Sequence, residues 1–234
     1  MMSKLLPLAL TLAALTVTPA LAEVTNAEIG FNYSMLADGG ARDVNKATLG
    51  GALEYAITPQ FTVQGDLAQR YYGLSNWNGT TFTAHGAYDI GNGTKIGAFG
   101  GHDWLDGQNI QHFGLEAAGE MNGVSWQTAY THLNGNGQNA NALQGEGALA
   151  MTEALDLGGK VAAMHGQGQM SYRAAATAGY QLTPGLRATG ELGLYDGDGM
   201  DAESFVGVGL KATFGQGKGV TFSGRGIQDF VPGL

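Results

Sequence analysis

Cysteine is missing from this sequence, proline is scarce at five residues, and charged residues make up 13% of the 234 positions. Without cysteine there can be no disulfide, thiolate metal site or cysteine nucleophile, so packing and backbone hydrogen bonds must hold the fold. Long apolar runs are lacking too. The longest, Leu5 to Val17, falls short of the about 20 residues a membrane-spanning helix needs. It follows Lys4 and leads to Ala20-Leu21-Ala22, a small-x-small pattern, so residues 1–22 read as a cleaved secretory leader. Losing Lys4 lowers the 11 basic residues to ten against 20 acidic ones. That balance argues against nucleic acid, whose phosphates call for a basic face. Forty glycines accompany the low charge, where a soluble domain carries about 25% charged residues and about 7% glycine. Part of the surface must face something other than water.

What is present is a period of two. In ALEYAITPQFTVQGDLAQRYYG, residues 52–73, Leu53, Tyr55, Ile57, Phe61, Val63 and Leu67 lie on one parity, and Glu54, Gln64, Asp66 and Arg70 on the other. This is the alternation of a two-faced strand, broken at Thr58-Pro59-Gln60 by a turn. The same test along the chain marks twelve strands, near 27–36, 46–57, 61–72, 81–90, 95–104, 110–121, 124–133, 142–152, 157–165, 170–182, 186–195 and 205–214. Short connections at 58–60, 91–94, 122–123, 153–156 and 183–185 alternate with mostly longer ones, as in a meander with one confined and one open end.

In strand after strand one parity is free of charge: Ile29, Phe31, Tyr33 and Met35, or Val206, Val208, Leu210, Ala212 and Phe214. Periodicity alone leaves open whether that face lines a soluble core or meets lipid. Strand lengths of about ten suit a tilted bilayer crossing. Aromatics gather at strand ends as girdles do: Tyr55, Phe61, Tyr88, Trp126, Tyr180 and Phe214 at one rim, Tyr71, Tyr72, Trp104, Tyr130 and Tyr172 at the other. Together these favour an all-β, antiparallel up-and-down transmembrane barrel of about 12 strands over residues 23–214.

The pattern Tyr-x-[Ile/Leu]-Thr-Pro recurs at YQLTPGLRATGEL, residues 180–192, and reads as a repeated hairpin. Leader, alternation, rims and Thr-Pro turns make the chain resemble small bacterial outer-membrane β-barrels of the porin-like superfamily. The resemblance implies a Gram-negative outer-membrane location, contact with outer-membrane lipid and lipopolysaccharide, and insertion by the barrel-assembly machinery. Such barrels end in a strand closing on an aromatic. Phe214 fits, yet GQGKGVTFSGRGIQDFVPGL follows it. That tail, 215–234, could extend into the periplasm, enter the lumen as a plug, or add a final strand through Val220, Phe222 and Ile227.

The lumen-facing charges divide by position. Glu28, Glu54, Asp66, Asp89, Asp103, Glu116, Glu120 and Glu146 fall on strands one to eight, and Lys160, Arg173, Arg187 and Lys211 on strands nine to twelve. An acidic arc facing a basic arc would set a transverse field selecting solutes, unless the groups pair and fill a narrow lumen. The leading expectation is a porin-like channel for passive diffusion of small hydrophilic solutes. Its pore would be lined by Glu54, Asp66, Arg70, Glu116, Glu146, Lys160, Arg173, Arg187, Glu191 and Lys211. No cofactor, metal or catalytic residue belongs to that reading. The alternatives are a closed structural or adhesive barrel binding through its loops and, last, a lipid-modifying enzyme. For the enzyme, Ser171 near His165 is the best available pair, and no Gly-x-Ser-x-Gly elbow supports it. Asp196, Asp198, Asp201 and Glu203 have oxygen ligands in one loop but not the EF-hand order.

Overall fold

The computed structural model describes residues 23–37, 44–73, 77–135, 137–199, 201–215 and 219–231; the expected leader lies outside them. Twelve strands form one closed antiparallel barrel. They are β1 (Glu23–Leu36), β2 (Asn45–Ala56), β3 (Phe61–Tyr72), β4 (Asn78–Gly91), β5 (Thr94–Leu105), β6 (Gln108–Met121), β7 (Val124–Gly135), β8 (Gln138–Ala150), β9 (Leu155–Gly166), β10 (Gln169–Thr183), β11 (Leu186–Gly197) and β12 (Glu203–Gly215). Each strand pairs with its sequence neighbours, and β1 closes on β12 from Asn26↔Gly215 to Leu36↔Phe205. The wall is therefore complete at Gly215, and every backbone donor and acceptor along it can be met within the sheet, as a hydrocarbon environment demands. The end of the barrel where β1 begins and β12 finishes is called proximal, and the opposite end distal.

The two parities separate as the alternation requires. Outward positions carry large apolar groups left bare: Leu115 is 66% exposed, Val208 62% and Leu192 60%. Inward positions carry buried polar groups, including Arg70, Thr83, Asp103 and His112. In water this arrangement would expose hydrophobic side chains around the whole circumference, far beyond the few hundred Å² of contiguous patch that a soluble monomer shows. A lipid belt removes the contradiction.

The turns differ from the sequence reading in two respects. At the distal end, β5–β6 and β9–β10 turn on two residues, with Asp106 and Gln167 at φ 45° and 54°. These match the proximal turn at Asn122, φ 54°, and paired positive φ values give the primed turns that follow strand twist. Strict alternation of short and long connections therefore does not hold. Both Thr-Pro stretches form proximal hairpins, β2–β3 and β10–β11, but their turns differ. The Thr58 hydroxyl accepts from the Phe61 amide at 2.9 Å, and its counterpart is Thr152, accepting from the Leu155 amide at 3.0 Å. Pro184-Gly185 instead makes a tighter turn, with Gly185 at φ 85°. The two similar sequences therefore turn by different means, a threonine-capped turn at Thr58 and a two-residue Pro-Gly turn at 184–185.

Beyond β12 the chain re-enters the barrel. Residues 219–231 run inside the lumen from the proximal to the distal end, where one helical turn, α1 (Ile227–Phe230), finishes the path. Neither an extension away from the wall nor an added strand is formed by these residues.

Candidate functional site: the lumen and its internal tail

An extended peptide inside a barrel has no ladder to pair with, yet its buried amides need acceptors. The wall supplies them from inward side chains. Amides of Val220 and Thr221 donate to Glu28 at 3.3 Å and Glu54 at 3.0 Å. Phe222 donates to Gln64 at 3.1 Å and accepts back from the Gln64 amide group at 2.7 Å. Ser223 donates to Gln127 at 3.0 Å, its hydroxyl to Glu146 at 3.1 Å, and Ile227 donates to Asp103 at 2.8 Å. The acidic residues of the early strands are thus the docking face for the tail.

Side chains complete the attachment. Arg225 Nε donates to Glu116 at 2.9 Å and its Nη2 to Gln127 at 2.7 Å. Glu116 is also met by His85 Nδ1 at 2.7 Å, while His85 Nε2 reaches Asp66 at 3.1 Å and its ring stacks on Phe222. Phe222 itself packs on Ala87 and Ala118. Gly97 allows this approach, because a Cβ there would stand 3.1 Å from the Phe222 ring. At the distal end Asp229 pairs with Arg70, Tyr72 donates to Gln228 at 2.9 Å, and Lys46 donates to the carbonyls of Gln228, at 2.7 Å, and Val231. Burial alone would raise the Asp229 pKa; the Arg70 and Lys46 charges more than offset this and hold it below the usual carboxylate range. Phe230 closes against Leu36, Tyr195 and Phe205, the Phe205 side chain lying 0% exposed. Tyr72, assigned by sequence to a rim girdle, points inward into this network.

Between the tail and the opposite wall remains a cavity of about 790 Å³. It extends from the proximal turns, at Gly123 and Ala150, to the level of Lys46 and Asp229. Of the ten residues expected to line a pore, Asp66, Arg70, Glu146, Lys160, Arg173, Arg187, Glu191 and Lys211 line this cavity. Glu54 and Glu116 face the tail instead.

The expected basic arc is not a run of free cations. Arg187 pairs with Asp156, Arg173 with Glu191 at 2.8 Å, Lys160 with Glu146 at 3.3 Å and Lys211 with Glu28 at 2.9 Å. Asp156 sits on β9 and Arg187 on β11, with β10 between them. The guanidinium crosses over Gly179 of β10, in space that a Cβ would fill. Sequence reasoning missed Asp156, the acceptor role of Gln64 and Gln127, and the tail residues Arg225, Gln228, Asp229 and Phe230. The small residues Gly97 and Gly179 were the available signal, at inward positions where they leave room for a crossing side chain.

The enzyme pair is not assembled. Ser171 registers with Met164, and His165 with Met170, so the hydroxyl and the imidazole lie on opposite faces of the wall. In the acidic loop, Asp198 accepts from the Met170 amide at 2.9 Å, a structural use.

No known family and no curated protein matches the sequence. Solved structures do match. The chain superposes on the KdgM porin in complex with disordered oligogalacturonate at TM-score 0.63 and 14% identity, covering 80% of this chain and 99% of that one. The NanC porin gives TM-score 0.62 at 8% identity, covering 80% and 98%. An outer-membrane channel of Pseudomonas putida F1 gives 0.58 at 10%, covering 85% and 97%. At such identities the likeness is one of fold alone.

Proposed function

We propose that the protein is a porin-like channel of the Gram-negative outer membrane, passing small hydrophilic solutes through a lumen narrowed by its own C-terminal tail. The observation that carries this reading is the cavity of about 790 Å³ beside the tail, lined by charged side chains inside a barrel whose outer face is apolar. A tail held by side chains, rather than built into the sheet, can leave without breaking the wall. The proximal end is placed in the periplasm, and the distal end, with the long connection at 37–44, outside the cell. Lipid and lipopolysaccharide surround the wall in this reading, and the barrel-assembly machinery inserts it.

The test is planar-bilayer conductance of the refolded chain from Glu23 to Leu234, compared with one ending at Gly215. Small steps in the full chain and larger ones after truncation support the channel. A second reading, a closed structural barrel, is favoured by the extent of the tail's hydrogen bonding. Silence from both forms, in barrels shown to be folded, would establish that reading instead.

A further inference from the structure

The charges around the cavity decide what such a lumen would admit. Six basic and seven acidic side chains line it. Ten of the thirteen are committed to the five pairs described above: Arg187 with Asp156, Arg173 with Glu191, Lys160 with Glu146, Lys211 with Glu28, and Arg70 with Asp229. A solute passing this wall meets dipoles closed at 3.3 Å or less, not separated arcs. The field of such a pair falls away much faster than that of a lone charge, and lumen water screens what remains. An anion drawn toward Arg187 is also repelled by Asp156 beside it, and a cation near Asp156 meets the reverse.

What the pairs still offer is hydrogen bonding. The Lys160 and Lys211 side chains keep 44% and 43% of their surface exposed while paired, so donor positions remain open to the cavity. Thr48, Thr177, Thr189 and Asn32 add neutral polar groups to the lining. Within the five pairs donors and acceptors balance without net charge, which matches hydroxyl-bearing solutes and zwitterions; of the three lining charges outside them, Lys46 is held by tail carbonyls, Asp66 faces His85, and Glu120 is exposed at the proximal rim. The volume lies within the about 300–1,000 Å³ typical of small-molecule sites.

We infer that the lumen is selective for net-neutral polar solutes, with the five pairs, four within the wall and one between wall and tail, cancelling preference for either sign of ion. The inference rests on the channel reading and deepens it. Two measurements on the chain from Glu23 to Leu234 test it. In a potassium chloride gradient the reversal potential should lie near zero. Arg187→Gln, which frees Asp156, should favour potassium, and Asp156→Asn, which frees Arg187, should favour chloride. The expected change is roughly fivefold for each ion, in opposite directions, the effect of one unit charge at about 4 Å in water. Lys211→Gln should act in the same direction as Arg187→Gln, and guards against a single variant that fails to fold. Liposome swelling should be faster in glucose than in sodium gluconate or glucosamine hydrochloride, solutes of one size and three charges. Strong ion selectivity in the unsubstituted chain, or paired variants that shift the ratio in the same direction, would overturn the inference and leave the channel standing. No conductance and no swelling in any solute would overturn both.

Discussion

Replacing Arg225 by alanine tests whether the tail is a restraint on the lumen. Arg225 is 3% exposed and donates to Glu116 and Gln127 at 2.9 and 2.7 Å. Breaking a buried ion pair by deleting one partner costs about 3–5 kcal/mol. Glu116 keeps His85 Nδ1 at 2.7 Å, which places the cost toward the lower figure. The barrel ladder does not involve Arg225, so the loss falls on the docked state of the tail rather than on the wall. At about 1.4 kcal/mol per decade, 3 kcal/mol raises the undocked population about 100-fold. Single-channel recording of the refolded variant should show long, larger openings that are rare in the unsubstituted chain. Protease cleavage after residue 215 should quicken in step. A cycle with Glu116→Gln should return a coupling of about 1.5–3 kcal/mol, the range for a hydrogen bond to a charged group. Unchanged openings and unchanged cleavage, in a variant with normal heat-modifiable migration, would refute the claim that this contact holds the tail.

Phe230→Ala empties the distal cluster with Leu36, Tyr195 and Phe205; about 3–5 kcal/mol of packing is at stake, and faster protease cleavage of the tail is the readout. Tail docking should also weaken in acid. The Asp229 carboxyl titrates below its ordinary value, so its contribution is full above about pH 4 and is lost as pH falls through the lowered pKa. Larger steps at pH 3 than at pH 7, with a smaller difference in Asp229→Asn, are expected; an equal difference in both forms would assign the effect to other groups. Leu115→Arg, in the middle of the outward face of β6 and 66% exposed, should destabilise the inserted barrel by about 2–4 kcal/mol, measured by urea unfolding in vesicles. Little or no loss would argue that this face does not meet lipid.

The alternation of side chains determined the wall. A residue two positions on must lie on the same face of a strand, so Ile29, Phe31, Tyr33 and Met35 specify an outward stripe whatever the register. Twelve such stripes, with turn residues between them, leave a closed barrel as the arrangement that satisfies every strand edge. Tertiary structure decided what fills it. Nothing local directs the sequence from Val220 to Val231 inward: its acceptors come from Glu28, Glu54, Gln64, Asp103 and Gln127, on five different strands. The charge pattern has the same origin. Read in order, the sequence suggests an acidic half of the wall facing a basic one. Closure sets Glu28 of β1 beside Lys211 of β12, and the missing side chain at Gly179 lets Arg187 cross a whole strand to Asp156. Periodicity is a property of a strand and can be read along the chain. Pairing across a lumen is a property of strand register and barrel circumference, and it exists once the barrel has closed.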